Sequence, residues 1–244
     1  MAEPMSNSPN LVYISIPAYN GNVALECSLS LLNNIRTLER NGYVVFVDTV
    51  PGDCYIENAR NKLCKSFLAS AAENMIFVDN DLSFDDQSML KLLKRPVEII
   101  GGAYPYRDPK KKAYPCQIML DADNVPIGDP RFGIVKAHFV PTGLLRISRS
   151  ALEKMKDERW KDSDEIYRFF RQGMYLWDTT EEDKKDQRWY GEDVFFCLDA
   201  NRKGVQVWLE PRIAFEHFGK AGTKGCYHEW LLENGIPEEE KKAA

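Results

Sequence analysis

The chain is poor in histidine, with 3 in 244 residues, and its 6 cysteines include no CxxC pair. None of Cys27, Cys54, Cys64, Cys116, Cys197 and Cys226 clusters with histidine at zinc-ligand spacing, which excludes a zinc finger or ribbon. Several sit in apolar stretches, where a reduced thiol behaves as a small hydrophobe. Free thiols in a reducing compartment are expected. Positive charge is also short: 32 Lys and Arg stand against 37 Asp and Glu, a formal charge of -5. Stable nucleic-acid binding is therefore not expected, and only Lys110, Lys111 and Lys112 make a local basic patch. No apolar run approaches the length of a membrane span. Residues 1–10 are polar, with no basic segment ahead of an apolar one, and read as a flexible N-terminus rather than a signal peptide. A cytoplasmic protein is expected. There is no Gly-rich, lysine-bearing phosphate loop, no internal repeat, and no Gly/Ser linker that divides the chain.

What is present is a hydrophobic fraction of 44%, enough for a sizeable core. Leu11 to Pro17 is a short apolar run closed by proline, a buried strand. From Val23 to Arg40, Leu25, Leu29, Leu32, Ile35 and Leu38 recur at helical spacing, and Gly42 ends the helix. Tyr43 to Val47 reads as a strand, Ile56 to Glu73 as a helix, Met75 to Val78 as a strand. Asp85 is placed to cap a helix reaching Lys94, and Val97 to Ala103 is a further strand. This alternation predicts a parallel, doubly wound α/β sheet, whose ligands lie beyond the carboxyl ends of the strands. Tyr19, Asp48 and Asp79 each fall just past an expected strand end. Later, Gln117 to Leu120, Ile134 to Val140, Val205 to Leu209 and Ile213 to Phe215 read as strands. Ser148 caps a short helix, and Glu192 to Lys203 is a helix closed by Gly204. Glu158 to Lys185 is charged and aromatic, an acceptor-facing or mobile stretch, and residues 237–244 read as a flexible tail.

Asp79-Asn80-Asp81 follows the apolar strand MIFV directly. Two carboxylates at this spacing converge on one hard cation, and magnesium or manganese bound that way keeps positions open for phosphate oxygens. Pro17-Ala18-Tyr19-Asn20 closes the first strand, Ala59-Arg60-Asn61 lies on the second helix, Glu192-Asp193 opens a late helix, and His217 follows in FEHFG. In this order and at this spacing the set resembles family 2 glycosyltransferases and their GT-A relatives, with a viral or bacterial flavour in DNDLSF and IIGGAYPYR. The resemblance covers roughly residues 11 to 219.

That resemblance implies a single GT-A domain over 11–236, Rossmann-like, with a mostly parallel central sheet flanked by helices. Its nucleotide-binding half would be 11–103 and its acceptor half 104–236. It implies transfer of a hexosyl or deoxyhexosyl group from a nucleotide diphosphate, a UDP-sugar, to a hydroxyl of a glycan or glycoconjugate, with inversion and with Mn2+ or Mg2+ as cofactor. If a virus is the source, the host cytoplasm is the setting. Pro17, Ala18, Tyr19, Asp48, Arg60, Asp79 and Asn80 would bind the donor. Asp79, Asp81 and His217 would hold the metal. Asp193 would be the catalytic base, with Glu192 beside it. A carboxylate at a helix N-terminus is held ionised by the backbone dipoles and so is ready to accept a proton.

Plainer readings stand beside these. Glu192 and Asp193 also make a favourable helix start, and His217 also fits as a packed histidine between Phe215 and Phe218. His138 and His228 have no motif around them and read as structural. Gly101-Gly102 is a bend or a border of the donor sugar, and Pro141-Thr142-Gly143 a turn or a loop between donor and acceptor. Trp177, Trp189 and Tyr190 make a sugar-stacking platform or core packing. Two further functions compete. A haloacid-dehalogenase-type phosphatase would use Asp79 as nucleophile, and a non-catalytic module would bind nucleotide-sugar or glycan. A nucleotide-sugar pyrophosphorylase is disfavoured by the missing Gly-rich loop after the first strand.

Overall fold

A computed structural model describes residues 10–107, 113–175, 188–219 and 222–236. The basic patch Lys110 to Lys112, Trp177, residues 1–9 and the tail 237–244 lie outside the described residues. The first strands are β1 (Leu11–Ala18), β2 (Val44–Pro51), β3 (Asn74–Val78), β4 (Leu82–Phe84) and β5 (Ile99–Gly101). Then come β6 (Gln117–Ile118), β7 (Gly128–Asp129), β8 (Ile134–Phe139), β9 (Leu144–Ser148) and β10 (Gly173–Tyr175). The last are β11 (Arg188–Tyr190), β12 (Val207–Leu209), β13 (Ala214–Phe218) and β14 (Gly222–Cys226). The helices are α1 (Leu25–Arg40), α2 (Ile56–Ala69), α3 (Ser88–Leu93), α4 (Arg149–Met155), α5 (Glu192–Arg202) and α6 (Tyr227–Asn234).

A mixed α/β architecture results, built on one 9-stranded sheet in the order β2-β1-β3-β9-β5-β12-β8-β6, with β7 on β8. Only β8 and β9 run against the direction of the other strands, so the sheet is mostly parallel in direction. Neighbour by neighbour it is mixed, because β9 lies antiparallel between β3 and β5. Leu144 to Ser148 is a strand that the sequence pattern does not reveal: Arg146 sits inside it and breaks the apolar run. The Arg146 side chain is buried, and its Nη1 and Nη2 donate to the carbonyls of Leu92, Arg95 and Glu98, at the end of α3 and in the loop to β5.

β1 is buried on both faces because α1 and α2 cover opposite sides of the sheet, which explains its unbroken apolar run. On α1 the buried positions are Cys27, Asn34 and Leu38, while Leu25, Leu29 and Leu32 are exposed. At 100° per residue these three leucines lie on the side opposite Leu38. Buried Asn34 binds the Asp85 carbonyl and accepts from the Met89 amide. Asp85 is not the cap of α3: that helix starts at Ser88, because Leu82 to Phe84 continues as β4 and pairs with β13. Ser148 does cap α4, accepting from the Ala151 amide. The C-terminus of α2 carries no basic residue of its own, and Arg149 supplies the charge from the β9–α4 junction. Its guanidinium binds the carbonyls of Phe67, Leu68, Ser70 and Ala72 and lies over the Phe67 ring. This clamp fixes the helix that carries Arg60.

Candidate active site

The carboxyl ends of β3 and β5, the helix α2, the start of α5 and the strand β13 converge on one polar cluster. Arg60 is its hub. The side chain is nearly inaccessible, at 4%, because α2 lays it against the core between the rings of Phe77 and Phe170. Asn61 secures that arrangement by exchanging two hydrogen bonds with the Phe170 backbone, at 2.8 and 2.9 Å. A buried guanidinium demands anionic partners. Arg60 finds two: Asp79 Oδ1 at 3.0 Å and Glu192 Oε1 at 3.3 Å. Those carboxylates hold its pKa above the ordinary arginine value although burial alone would lower it. Among the described residues its Nη1 has no hydrogen-bond partner.

Asp79 stands just past β3, and its amide donates to the Gly143 carbonyl. Its second carboxylate oxygen, Oδ2, accepts from the Tyr104 hydroxyl at 3.2 Å. Burial, then Asp79 and Asp193, keep that phenol well above the ordinary range, so it remains a donor. Both oxygens of Asp79 are thus engaged, one by a cation, which leaves it poorly set up as a phosphatase nucleophile. Gly143 makes the arrangement possible: a Cβ there would come within 2.6 Å of Tyr104 Cε1. The loop Pro141-Thr142-Gly143 therefore borders the cluster. Gly101-Gly102 is a packing position, because a side chain at Gly102 would collide with Phe215.

Glu192 and Asp193 form the first turn of α5, as expected. Burial, then Glu192, push the Asp193 carboxyl up to about 6, although the Val194 amide donates to it and Arg60 lies within electrostatic reach. A carboxylate tuned this way holds its proton more tightly than usual and stays ionised at neutral pH.

Asp81 and His217 meet across the β4–β13 pairing. The register sets His217 opposite Leu82, and the Phe218 amide donates to the Asp81 carbonyl. Asp81 Oδ2 and His217 Nε2 are 3.6 Å apart. His217 Nδ1 is 2.9 Å from the Pro105 carbonyl, which can only accept, so the proton sits on Nδ1 and Nε2 presents its lone pair. Burial lowers the imidazole's pKa and favours this neutral form. The pair faces Arg107: its Nη2 is ion-paired with Asp81 Oδ2, and its Nε donates to His217 Nε2 at 2.9 Å. Two ligands about 2.1 Å from one octahedral ion stand about 3 Å apart, so an observed spacing of 3.6 Å needs only slight closing. One carboxylate and one neutral imidazole with a fixed tautomer suit a divalent ion that takes its remaining ligands from water and phosphate. Among the described residues no group of three His, Cys, Asp or Glu side chains is assembled around one point. Asp79, the third expected ligand, is held by Arg60 and Tyr104.

The remaining expected donor residues are placed as follows. Pro17 and Ala18 end β1, and Tyr19 beyond them is exposed, with its carbonyl accepting from the Gly52 amide. Asn80 donates to the Asn22 carbonyl at 2.7 Å, closing the start of α1 against the β3 end. Asp48 is not beyond a strand end: β2 runs on to Pro51, and Asp48 lies within it, accepting from Tyr13 at 2.5 Å. Trp189 is exposed, directly opposite Met174 in the β10–β11 hairpin. His138 is in β8, and His228 is exposed on α6 with its amide bonded to the Pro211 carbonyl. Sequence reading assigned no role to Tyr104 or Arg107. Both lie in AYPYR just past β5, and a strand's carboxyl end was the available signal.

Neither a protein-family model nor a curated protein sequence matches the chain. Solved structures do resemble it. Protein A197 from STIV is similar with a TM-score of 0.49 and 14% identity, over 85% of this chain and 85% of that one. A glycosyltransferase involved in glycosylation of the major capsid of PBCV-1 is similar at 0.34 and 12%, over 59% of this chain and 62% of that one. The Drosophila β-1,4-galactosyltransferase 7, in complex with manganese, UDP-Gal and xylobiose, is similar at 0.44 and 13%, over 96% and 79%. Likeness of this degree concerns the path of the chain; the chemistry rests on the side chains.

Proposed function

We propose that the chain is a glycosyltransferase that moves a sugar from a nucleoside diphosphate donor, a UDP-sugar, to an acceptor hydroxyl with inversion. One observation carries this reading: Asp193, a carboxylate raised to about 6, lies within electrostatic reach of Tyr104, whose ring packs 5.0 Å from that of His217 in the Asp81–His217 pair. Asp193 takes the acceptor's proton as its oxygen bonds to the sugar's anomeric carbon and the bond to the diphosphate breaks. Glu192 raises that basicity through its own charge and is held in place by Arg60. Asp81 and His217 hold Mn2+ or Mg2+, which when bound stabilises charge on the departing diphosphate. Asp79, fixed by Arg60 and Tyr104, orients the donor's ribose or a water on the ion. Pro17, Ala18, Tyr19, Asp48 and Asn80 line the nucleotide side, in the half 11–103. The half 104–236 takes the acceptor, a glycan or glycoconjugate, with exposed Trp189 at its edge. Among the described residues no helix is long and apolar enough to cross a membrane.

The test is release of nucleoside diphosphate from sugar nucleotides with Mn2+, with a chelated control. Turnover should need the ion and vanish in Asp81→Asn and His217→Ala. Turnover indifferent to chelation, or phosphate release from a generic phosphomonoester instead, overturns the reading.

A further inference from the structure

We propose that Arg107 and the divalent ion are alternative occupants of the Asp81–His217 pair, and that Arg107 passes to the donor's diphosphate when the ion enters. The inference rests on the metal-dependent transfer proposed above and concerns the order in which that site is filled. Arg107 engages the two atoms an ion would use, Asp81 Oδ2 and His217 Nε2. Nε2 has a single lone pair, because the Nδ1 proton is committed to the Pro105 carbonyl. It cannot serve a guanidinium and a metal together, and the two positive charges repel at such a distance. Exchange leaves the core undisturbed: the Arg107 side chain is 57% exposed, so it can move away without unpacking its neighbours, at the cost of the pair it gives up. Its stem runs beside Gly219, where an added Cβ would come 3.3 Å from Arg107 Cδ. Once displaced, the guanidinium remains beside the ion and offers a planar fork of donors suited to phosphate oxygens.

Two consequences follow from exclusion. The free protein binds the ion weakly, because the ion must displace a cation already there. Ion and nucleoside diphosphate then bind cooperatively, since the diphosphate rewards the displaced arginine, and the coupling is reciprocal.

Mn2+ titrations of the full chain, read by electron paramagnetic resonance with and without UDP, test this. Wild type should bind Mn2+ weakly alone and about tenfold more tightly with UDP, while Arg107→Met binds it about tenfold more tightly alone and gains less from UDP than wild type does. Arg107→Lys, which keeps the charge without the fork, should fall between them. Thermal melts verify that each variant is folded, and Asp81→Asn should abolish binding. Equal Mn2+ affinity in wild type and Arg107→Met without UDP, or undiminished coupling in Arg107→Met, overturns the exchange and leaves the metal site standing. Binding that survives Asp81→Asn is not at this pair and also overturns it. No Mn2+ bound by any of these proteins, with or without UDP, removes the metal-dependent reading itself.

Discussion

Replacing Asp193 with asparagine should inactivate the protein and stabilise it. The side chains are nearly the same size, and the asparagine carbonyl can still accept from the Val194 amide, so the change removes little but the charge. Burial and Glu192 raise the Asp193 carboxyl from 3.8 to about 6. That difference corresponds to about 3 kcal/mol against the ionised form, and solvent contact reduces it to about 1–2 kcal/mol. Between pH 4 and 6 the unfolded chain has released this proton while the folded one keeps it. Stability contributed by the group is therefore complete below pH ~4 and is lost as pH rises through ~6. The Asp193→Asn variant would carry no such loss. Its advantage should open across that window and stay constant above it, raising the melting temperature by about 2–4 °C per kcal/mol at neutral pH. Transfer should fall by about 10²–10⁴, and the wild-type rate should rise with pH to a plateau above about 6. Thermal melts at pH 4 and 7.5, paired with diphosphate-release rates, read both. An Asp193→Asn variant that turns over normally, or that melts below wild type at pH 7.5, would refute the assignment.

Arg60→Met keeps the packing between Phe77 and Phe170 but strands two carboxylates, and urea unfolding should show a loss of about 3–5 kcal/mol. The same variant should move the pH midpoint of any residual activity upward, since Arg60 lowers the Asp193 pKa. Gly143→Ala forces Tyr104 away from Asp79 at a cost of about 1–3 kcal/mol in stability; turnover should drop while Mn2+ affinity at Asp81 and His217 is kept. Arg149→Met strips four carbonyls at the end of α2 of their partner, and hydrogen exchange should accelerate in its last turn, whereas Ser148→Ala costs about 1 kcal/mol and leaves α2 unchanged.

Most of the first hundred residues were legible because β1, α1, α2 and β3 announce themselves, whereas β4 and the end of β2 do not. Apolar runs at β1 and β3 and the acidic start of α5 are local signals, and local signals survive in a sequence. β9 did not announce itself, since its central Arg146 is polar by composition and buried by virtue of carbonyls on α3 and its flank. The leucines of α1 misled in the opposite sense: they share helical spacing, but Cys27 and Asn34, not Leu25 or Leu29, meet the sheet. The site was read through its acidic residues and histidine. What escaped was the pairing among them. That Asp79 answers to Arg60 and Tyr104, and Asp81 to Arg107, follows from which side chains the fold brings together, and separations of 19 residues or more hide that.

The insertion of β9 also governs how the molecule can be divided. Among the described residues the sheet neighbours of β5 are β9 and β12, both drawn from the later part of the chain. A fragment ending at residue 103 would carry β5 with neither edge paired and β3 with one side bare. The stretches 11–103 and 104–236 are therefore not separate units of folding. A chain cut at that point should recover its structure only when the missing piece is supplied alongside it.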